Sequence, residues 1–167
     1  GKLVTRLGEF ATLHKAEPMT LTIFRDGILQ DVSVTPQFVS SMATTRLIMW
    51  GGALFQTPHR AIAQQHGQPT VGAYVSYWWR GSPAGRYGLR PMRRVVEVDG
   101  VVIETLDDLV ETLRNKRDGQ AIRLLTVDLQ GRERMVTLQA DNHYWPLIEI
   151  QRDENGWQRT PVAMNAE

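Results

Sequence analysis

Residues 71–115 read VGAYVSYWWRGSPAGRYGLRPMRRVVEVDGVVIETLDDLVETLRN, and they contain the signals for a strand, a short helix, a hairpin and a second helix. Apolar and other side chains alternate from Val71 to Trp78, which is the period of a half-buried strand. Ser82 and Pro83 then predict a helix start, because the hydroxyl caps free N–H groups and proline has none to leave unpaired. Gly88 predicts the end of that helix.

The second half of the same segment predicts a hairpin and a longer helix. Asp99-Gly100 is a tight-turn signal between two valine-rich runs. Thr105 and Asp108 have the spacing of a capping box, in which each side chain binds a backbone N–H of the other residue. Apolar residues then recur at helical spacing and form one stripe, which consists of Leu106, Leu109, Val110 and Leu113.

Together these motifs resemble the PDZ domains of the HtrA-type serine proteases, in which GSPA, A-GL, V-DG and DDL segments recur in this order. The likeness covers residues 46–138 and implies an α+β fold, namely a small, partly open antiparallel β-barrel or sandwich with two helices. One departure lies after Pro91, where such domains usually continue with Gly-Asp and this chain has Met92-Arg93-Arg94. We therefore expect the turn there to be rebuilt.

Three further segments narrow the resemblance. WGGALFQTPHRA, YGLRP and HYWP are similar to the C-terminal PDZ region of a divergent, internally duplicated HtrA-like branch known mainly from fungi. That branch implies a nuclear location and a bacterial relative implies the cell envelope, so the compartment stays open. The resemblance also implies that a serine protease domain lies upstream in a longer parent protein.

The order strand, helix and hairpin occurs twice in the chain. Because the first copy lacks a leading half, we expect it to pack on the complete module, to recruit a second copy of the chain, or to be completed by exchange. A decorative hairpin on one enlarged domain is the alternative. The predicted organisation is the trailing half of a PDZ-like module over 1–36, a linker over 37–45, a complete PDZ-like domain over 46–139, and an extension over 140–167 that contains a hairpin.

The composition is that of an ordinary globular domain, with 42% hydrophobic and 22% charged residues. A net charge of +1 gives no electrostatic footprint for nucleic acid, and no apolar run approaches membrane-spanning length. The absence of cysteine excludes disulfides, thiolate catalysis and cysteine zinc sites. We therefore expect neither a nucleic-acid nor a membrane partner, and no cofactor.

The resemblance implies a groove in which a chain terminus or extended segment adds as a strand, beside the strand after the glycine loop and opposite the second helix. Glycines let several N–H groups converge on a ligand carboxylate, because they lack side chains and tolerate unusual dihedral angles. Modules that prefer Ser or Thr ligands have a histidine where this chain has Leu106, so we expect apolar ligand side chains here. The predicted peptide-binding residues are Trp50, Gly51, Gly52, Ala53, Leu54, Phe55, Leu106, Val110 and Leu113.

Simpler interpretations stand beside the groove. An apolar helix stripe is more often core than binding surface, and Gly51-Gly52 is also compatible with a bulge or bend. An exchanged segment or the C-terminal tail is a further candidate for the groove. In that case the chain is a structural module that holds neighbouring domains or protomers together.

The sequence contains no recognisable catalytic constellation, so we do not expect this chain to be an enzyme. GSPAG at 81–85 places Ser82 beside the first glycine, unlike the GxSxG nucleophile elbow, and proline after the serine suits a helix cap. Asp107-Asp108 lies in a first helical turn, where negative charge favours the helix dipole. The isolated histidines, which lack metal-binding spacing, are His14, His59, His66 and His143. An independent hydrolase is the least supported interpretation.

Two other residue groups point to interfaces. The large aromatic residues suit a core or domain interface better than base stacking, because no basic stripe accompanies them; they are Trp50, Tyr77, Trp78, Trp79, Trp145 and Trp157. The local basic patch, which suits an acidic neighbour, consists of Arg86, Arg90, Arg93 and Arg94. The predicted partners are hydrophobic C-terminal or extended segments, the upstream protease and PDZ domains of the same parent, and a second copy through oligomerisation or domain swapping.

Overall fold

The computed structural model describes residues 17–35, 44–61, 66–67 and 69–165. The chain divides into two compact units, Gly1–Ala43 and Thr44–Glu167. Predictions for residues 1–16 and for most of the linker at 37–45 lie outside the described residues.

The first unit contains a two-stranded hairpin. Strand β1 is Met19–Arg25 and strand β2 is Ile28–Val34, and they pair antiparallel along their full lengths. Asp26 and Gly27 form the turn with φ of 54° and 79°. Positive φ at both central residues is what a type I′ hairpin turn requires, and Asp-Gly is one of the residue pairs that favour it.

The second unit contains one antiparallel sheet and two helices among the described residues. The sheet order is β11-β10-β3-β4-β5-β6-β8-β9, with β7 also paired to β6. Because β9 and β11 are opposite ends of this order, the sheet does not close into a barrel, and the predicted α+β, PDZ-like fold class is confirmed. The strands are β3 Arg46–Trp50, β4 Ala53–Gln56, β5 Ala73–Trp78, β6 Arg93–Val98, β7 Val101–Val102, β8 Ala121–Asp128, β9 Glu133–Gln139, β10 Ile148–Asp153 and β11 Gly156–Pro161, and the helices are α1 Pro83–Arg86 and α2 Leu106–Arg114.

Both helices begin with the predicted caps. The Ser82 hydroxyl accepts the Gly85 N–H at 3.1 Å and opens α1. At the start of α2 the Asp108 N–H donates to Thr105 Oγ1 at 3.2 Å, and the Thr105 N–H donates to Asp108 Oδ2 at 2.8 Å. These hydrogen bonds from Thr105 favour the charged carboxylate and hold the pKa of Asp108 below its ordinary value.

The turn after Pro91 retains an unusual backbone conformation. Met92, which stands where the resembled domains have glycine, has a φ of 64°, in the left-handed region that glycine adopts most easily. Its N–H donates to the Val75 carbonyl oxygen at 3.0 Å, which holds the turn against β5. The departure in sequence is therefore accommodated by backbone strain at a largely exposed methionine.

The core lies between α2 and the inner face of the sheet. Leu106, Leu109 and Leu113 of α2 are buried in one cluster with side chains from most of the strands. Leu147 and Ile148 are only 1% and 3% exposed, so the C-terminal extension packs into the same core as the preceding strands.

Candidate strand-addition site

The glycine turn joins β3 to β4 as a tight hairpin. Trp50 pairs with Ala53, and Gly51 and Gly52 between them have φ of 57° and 72°. A Cβ atom on Gly52 would clash with the side chain of Ser82, so the backbone of this turn packs directly on the start of α1. Glycine is needed at position 52 for both reasons, the positive φ and the close approach.

The Gly51 N–H and the carbonyl groups of both glycines form hydrogen bonds within the chain. The Gly51 N–H donates to the Trp145 carbonyl oxygen at 3.2 Å, and the Gly51 carbonyl accepts the Ala84 N–H at 2.9 Å. The Gly52 carbonyl accepts the Trp79 N–H at 2.9 Å. The Gly51 N–H, which we predicted to face a ligand carboxylate, therefore faces a carbonyl oxygen of the C-terminal extension.

The open edge that we expected on β4 is absent. β4 pairs with β3 on one side, through Ile48↔Phe55 and Met49↔Leu54, and with β5 on the other. The physical reason is the two-residue turn, which folds the strand before the glycines back along the strand after them. This arrangement corrects the prediction that a ligand strand adds at Leu54 and Phe55.

The outer edge of β3 is also covered, by strand β10 of the extension. Ile148 pairs with Met49, and the register continues to Gln151 opposite Arg46. β10 runs antiparallel to β3, as an added ligand strand would. The chain therefore supplies its own strand at this edge, which we call the strand-addition site, defined by the edge of β3 from Arg46 to Met49.

Arg46 links the three elements that meet at this site. Its guanidinium forms ion pairs with Asp107 of α2 and Glu149 of β10. Burial alone would lower the pKa of Arg46, but the hydrogen bonds with Asp107 and Glu149 outweigh it and raise that pKa. Because the Arg46 and Glu149 side chains are both partly buried, water screens this pair less than an exposed one.

The side chains predicted as the helical wall of a groove face the core instead. Leu106 and Leu113 are buried, and Val110 is partly buried against the same cluster. The last turn of α2 is covered by residues that follow β11, because the Asn165 N–H donates to the Arg114 carbonyl at 2.8 Å. A helix stripe alone does not reveal whether a ligand or the chain itself covers it, and here the chain does.

The remaining predicted site residues divide in the same way. Trp50 is buried, and its indole N–H donates to Asn142 Oδ1 at 3.1 Å. Phe55 is fully buried, whereas Leu54 is partly exposed. Trp50, Ala53 and Phe55 thus share one core with the α2 leucines.

Comparison with known proteins agrees with this arrangement of motifs. The chain is 37% identical over 142 residues to "Protease Do-like 7" of Arabidopsis thaliana, covering 84% of this chain and 13% of that protein. It is 33% identical over 160 residues to "Pro-apoptotic serine protease nma111" of Aspergillus clavatus, covering 94% of this chain and 16% of that protein. The chain is an HtrA-type PDZ region.

A solved structure and the family models complete the comparison. "HtrA-type protease AlgW with decapeptide" matches 57% of this PDZ region and 29% of that chain, with 22% identity and a TM-score of 0.49. No family model matches the chain. The PDZ region spans less than a fifth of the length of the two relatives named above.

The described part of the PDZ region shows no metal-type cluster. No group of three or more His, Asp or Glu side chains is placed there to hold an ion.

Ser82 is buried at the start of α1, where its hydroxyl donates to the Trp79 carbonyl at 2.6 Å. No helix among the described residues is long and apolar enough to cross a membrane.

Sequence reasoning missed Arg46 of the strand-addition site and its ion-pair partner Glu149 on β10. A hairpin was predicted within the extension, and β10 and β11 pair antiparallel there. The sequence gives only a weak indication that β10 pairs with β3, namely the apolar pair Leu147-Ile148 directly before an acidic residue. Local patterns identify a strand, but they do not state which edge it joins.

Proposed function

We propose that this PDZ region is a non-catalytic structural module of an HtrA-like serine protease, with a strand-addition site that its own C-terminal extension fills. The pairing of β10 with β3 carries the proposal. The Gly51 N–H, bound to the Trp145 carbonyl, supports it, because that donor would otherwise be available to a ligand. The proposal favours the structural alternative over a freely open peptide receptor.

The free energy of burial favours occupation of the strand-addition site by β10 of the same chain. Leu147 and Ile148 are almost completely buried, and burial of each such side chain contributes about 1.5–3 kcal/mol. A tethered segment also has an effective concentration on the order of millimolar at its own site. A free peptide of equal intrinsic affinity would have to reach a similar concentration to displace β10.

Calorimetric titration with a library of hydrophobic C-terminal peptides tests the proposal. We expect no saturable binding at micromolar peptide, together with slow amide exchange along β10. Peptides with an amidated C-terminus serve as the matched control for carboxylate recognition. Saturable binding that Val110→Glu abolishes in a folded variant would overturn the proposal in favour of the open receptor.

A second function, binding of hydrophobic termini in exchange for β10, is favoured by the limited extent of that pairing. β10 contacts β3 over only the four residue pairs from Ile148↔Met49 to Gln151↔Arg46. In that function a ligand strand would pair with β3 in place of β10, whereas Leu54 and Phe55 lie on β4, whose two edges are taken by β3 and β5. Its signature is peptide affinity that increases when Glu149→Lys weakens the hold on β10.

The matching register of two hairpins supports the proposal that residues 1–36 are the trailing half of a second module. Leu21 pairs with Val32 in the first unit as Leu124 pairs with Val136 in the second. Leu124 and Val136 are buried, whereas Val32 is 36% exposed. The first hairpin thus has a leucine–valine pair like that of the second, with less cover, as expected for a module without its leading half.

A further inference from the structure

A surface cleft lies at the end of β5, away from the backbone pairing of the strand-addition site. It is lined by Tyr77, Trp78, Arg80 and Pro91, and we call it the aromatic cleft. Tyr77 is 53% exposed, so a large apolar ring faces solvent there. Exposed aromatic side chains arranged around a concave surface are typical of binding sites.

The walls of the aromatic cleft are fixed by neighbouring rings. Tyr77 meets Trp79 edge to face, with ring centroids 5.0 Å apart and planes at 83°. Trp79 in turn lies 6.2 Å from Trp145. Trp78 is partly buried against the hydrophobic core. Rings held in this way lose little conformational freedom when a ligand binds.

Two guanidinium groups border these walls. Arg80 lines the cleft, and Arg90 lies over the Trp78 ring with 5.2 Å between its Cζ and the ring centroid. Arg80 and Arg90 are exposed. Neither forms an ion pair with another residue in the part of the chain that the structure describes. Arg93 of the predicted basic patch is instead bound to Asp128.

We propose that the aromatic cleft is a docking site for an extended acidic peptide segment. One apolar or aromatic side chain enters beside Tyr77 and Pro91, and carboxylates on either side of it pair with Arg80 and Arg90. Aromatic walls match the apolar side chain, and guanidinium groups form strong, directed hydrogen bonds with carboxylates. The inference is independent of whether β10 or a ligand fills the strand-addition site.

The charge distribution favours a peptide over single-stranded nucleic acid. Nucleic acid also pairs stacking rings with cations, but it requires a basic groove that follows several phosphates. The chain has a net charge of only +1, and the cleft offers two arginines. A short segment with carboxylates on both sides of one ring matches these two cations.

Calorimetry with synthetic peptides tests the proposal on the whole chain. We expect Asp-Glu-Phe-Glu-Asp to bind saturably at low ionic strength, and Asp-Glu-Ala-Glu-Asp to bind about tenfold more weakly because it lacks the ring. Added salt should weaken binding, since the charges lie at the surface. Arg80→Glu/Arg90→Glu should abolish binding, whereas Tyr77→Ala should weaken it without changing its dependence on salt.

The matched control is Arg117→Glu/Arg159→Glu, which makes the same charge change at exposed arginines outside the cleft. Equal loss of binding in this control would show a nonspecific charge effect and overturn the proposal. Absence of binding by Asp-Glu-Phe-Glu-Asp would overturn it as well. Tighter binding of oligothymidylate than of the peptide would assign the cleft to nucleic acid instead. Val110→Glu, which tests the predicted groove beside α2, should leave binding of this peptide unchanged.

Discussion

The backbone N–H of Gly51 donates to the carbonyl oxygen of Trp145 at 3.2 Å. The donor belongs to the glycine turn that the PDZ resemblance assigns to a ligand carboxylate, and the acceptor belongs to the extension that follows β9. From Trp145 the chain continues into β10 along β3. One continuous segment thus takes both the place expected for the ligand terminus and a strand-addition edge.

Shortening Leu147 to alanine should destabilise the whole second unit. Leu147 is buried in the core, so we expect a loss of about 2–5 kcal/mol in the free energy of unfolding. Urea unfolding followed by tryptophan fluorescence measures it. Tyr144→Ala is the control, because that ring is 76% exposed and its loss should change stability by less than about 0.5 kcal/mol. Equal stability of both variants would show that the extension is not part of the core.

The ion pair between Arg46 and Glu149 should contribute measurably to the docking of β10. A double-mutant cycle with Arg46→Ala and Glu149→Ala should give a coupling free energy of roughly 1 kcal/mol, near the upper end for partly exposed pairs. Amide exchange along β10 should accelerate in both single variants. The more exposed pair Glu111 and Arg114, 3.4 Å apart, should couple by much less. A coupling energy no larger than that of the control pair would contradict this expectation.

Replacing Met92 by glycine should stabilise the protein. The left-handed conformation at φ 64° costs a residue with a side chain about 1–2 kcal/mol. The entropic cost of placing glycine there is smaller, about 0.5–1 kcal/mol. Little packing is lost, because Met92 is largely exposed. Met135→Gly is the matched control, since that exposed methionine lies inside strand β9, where glycine destabilises. The measurement is the thermal unfolding midpoint of both variants. A midpoint of Met92→Gly below that of the wild type would show that Met92 is not strained.

Acidification should destabilise the fold partly through Asp99. Burial alone would raise the pKa of Asp99, but hydrogen bonds from Lys116 and the Arg123 backbone N–H outweigh it and lower that pKa. A carboxyl group with a lowered pKa stabilises the fold above its unfolded value of about 3.9, and this contribution is lost as pH falls through the folded value.

The check is urea unfolding of the wild type and Asp99→Asn at neutral pH and below about pH 4. The wild type should lose more stability between the two conditions than Asp99→Asn does. Glu154→Gln, a change in the exposed turn between β10 and β11, should behave like the wild type. An identical acid response of Asp99→Asn and the wild type would exclude this contribution.

The elements set by local chemistry were predictable from the sequence. Ser82 and Thr105 cap the helices that their neighbours had indicated, and Asp26-Gly27 turns the first hairpin as its composition required. Each of these signals depends on residues within four positions of one another. Hydrogen bonds over such short separations do not depend on the rest of the fold.

The candidate site was less predictable, because it depends on contacts between distant parts of the chain. Arg46 and Glu149 are 103 positions apart, and no local pattern joins them. Leu106 and Leu113 had the spacing of a groove wall and equally that of a core stripe. The stripe belongs to the core because β10 and the residues after β11 cover this part of the fold. A single sequence does not specify which partners those segments take.

The cover that β10 gives β3 also has a consequence for aggregation. The edge that it hides, Arg46–Met49, is apolar except for Arg46, and apolar strand edges can template cross-β growth. The outermost strand that replaces it, β11, carries Arg159 and Pro161, which discourage further pairing. A truncation before Leu147 would remove β10 and β11 and leave the apolar edge of β3 open to pairing with other chains. We therefore expect the shortened chain to be insoluble.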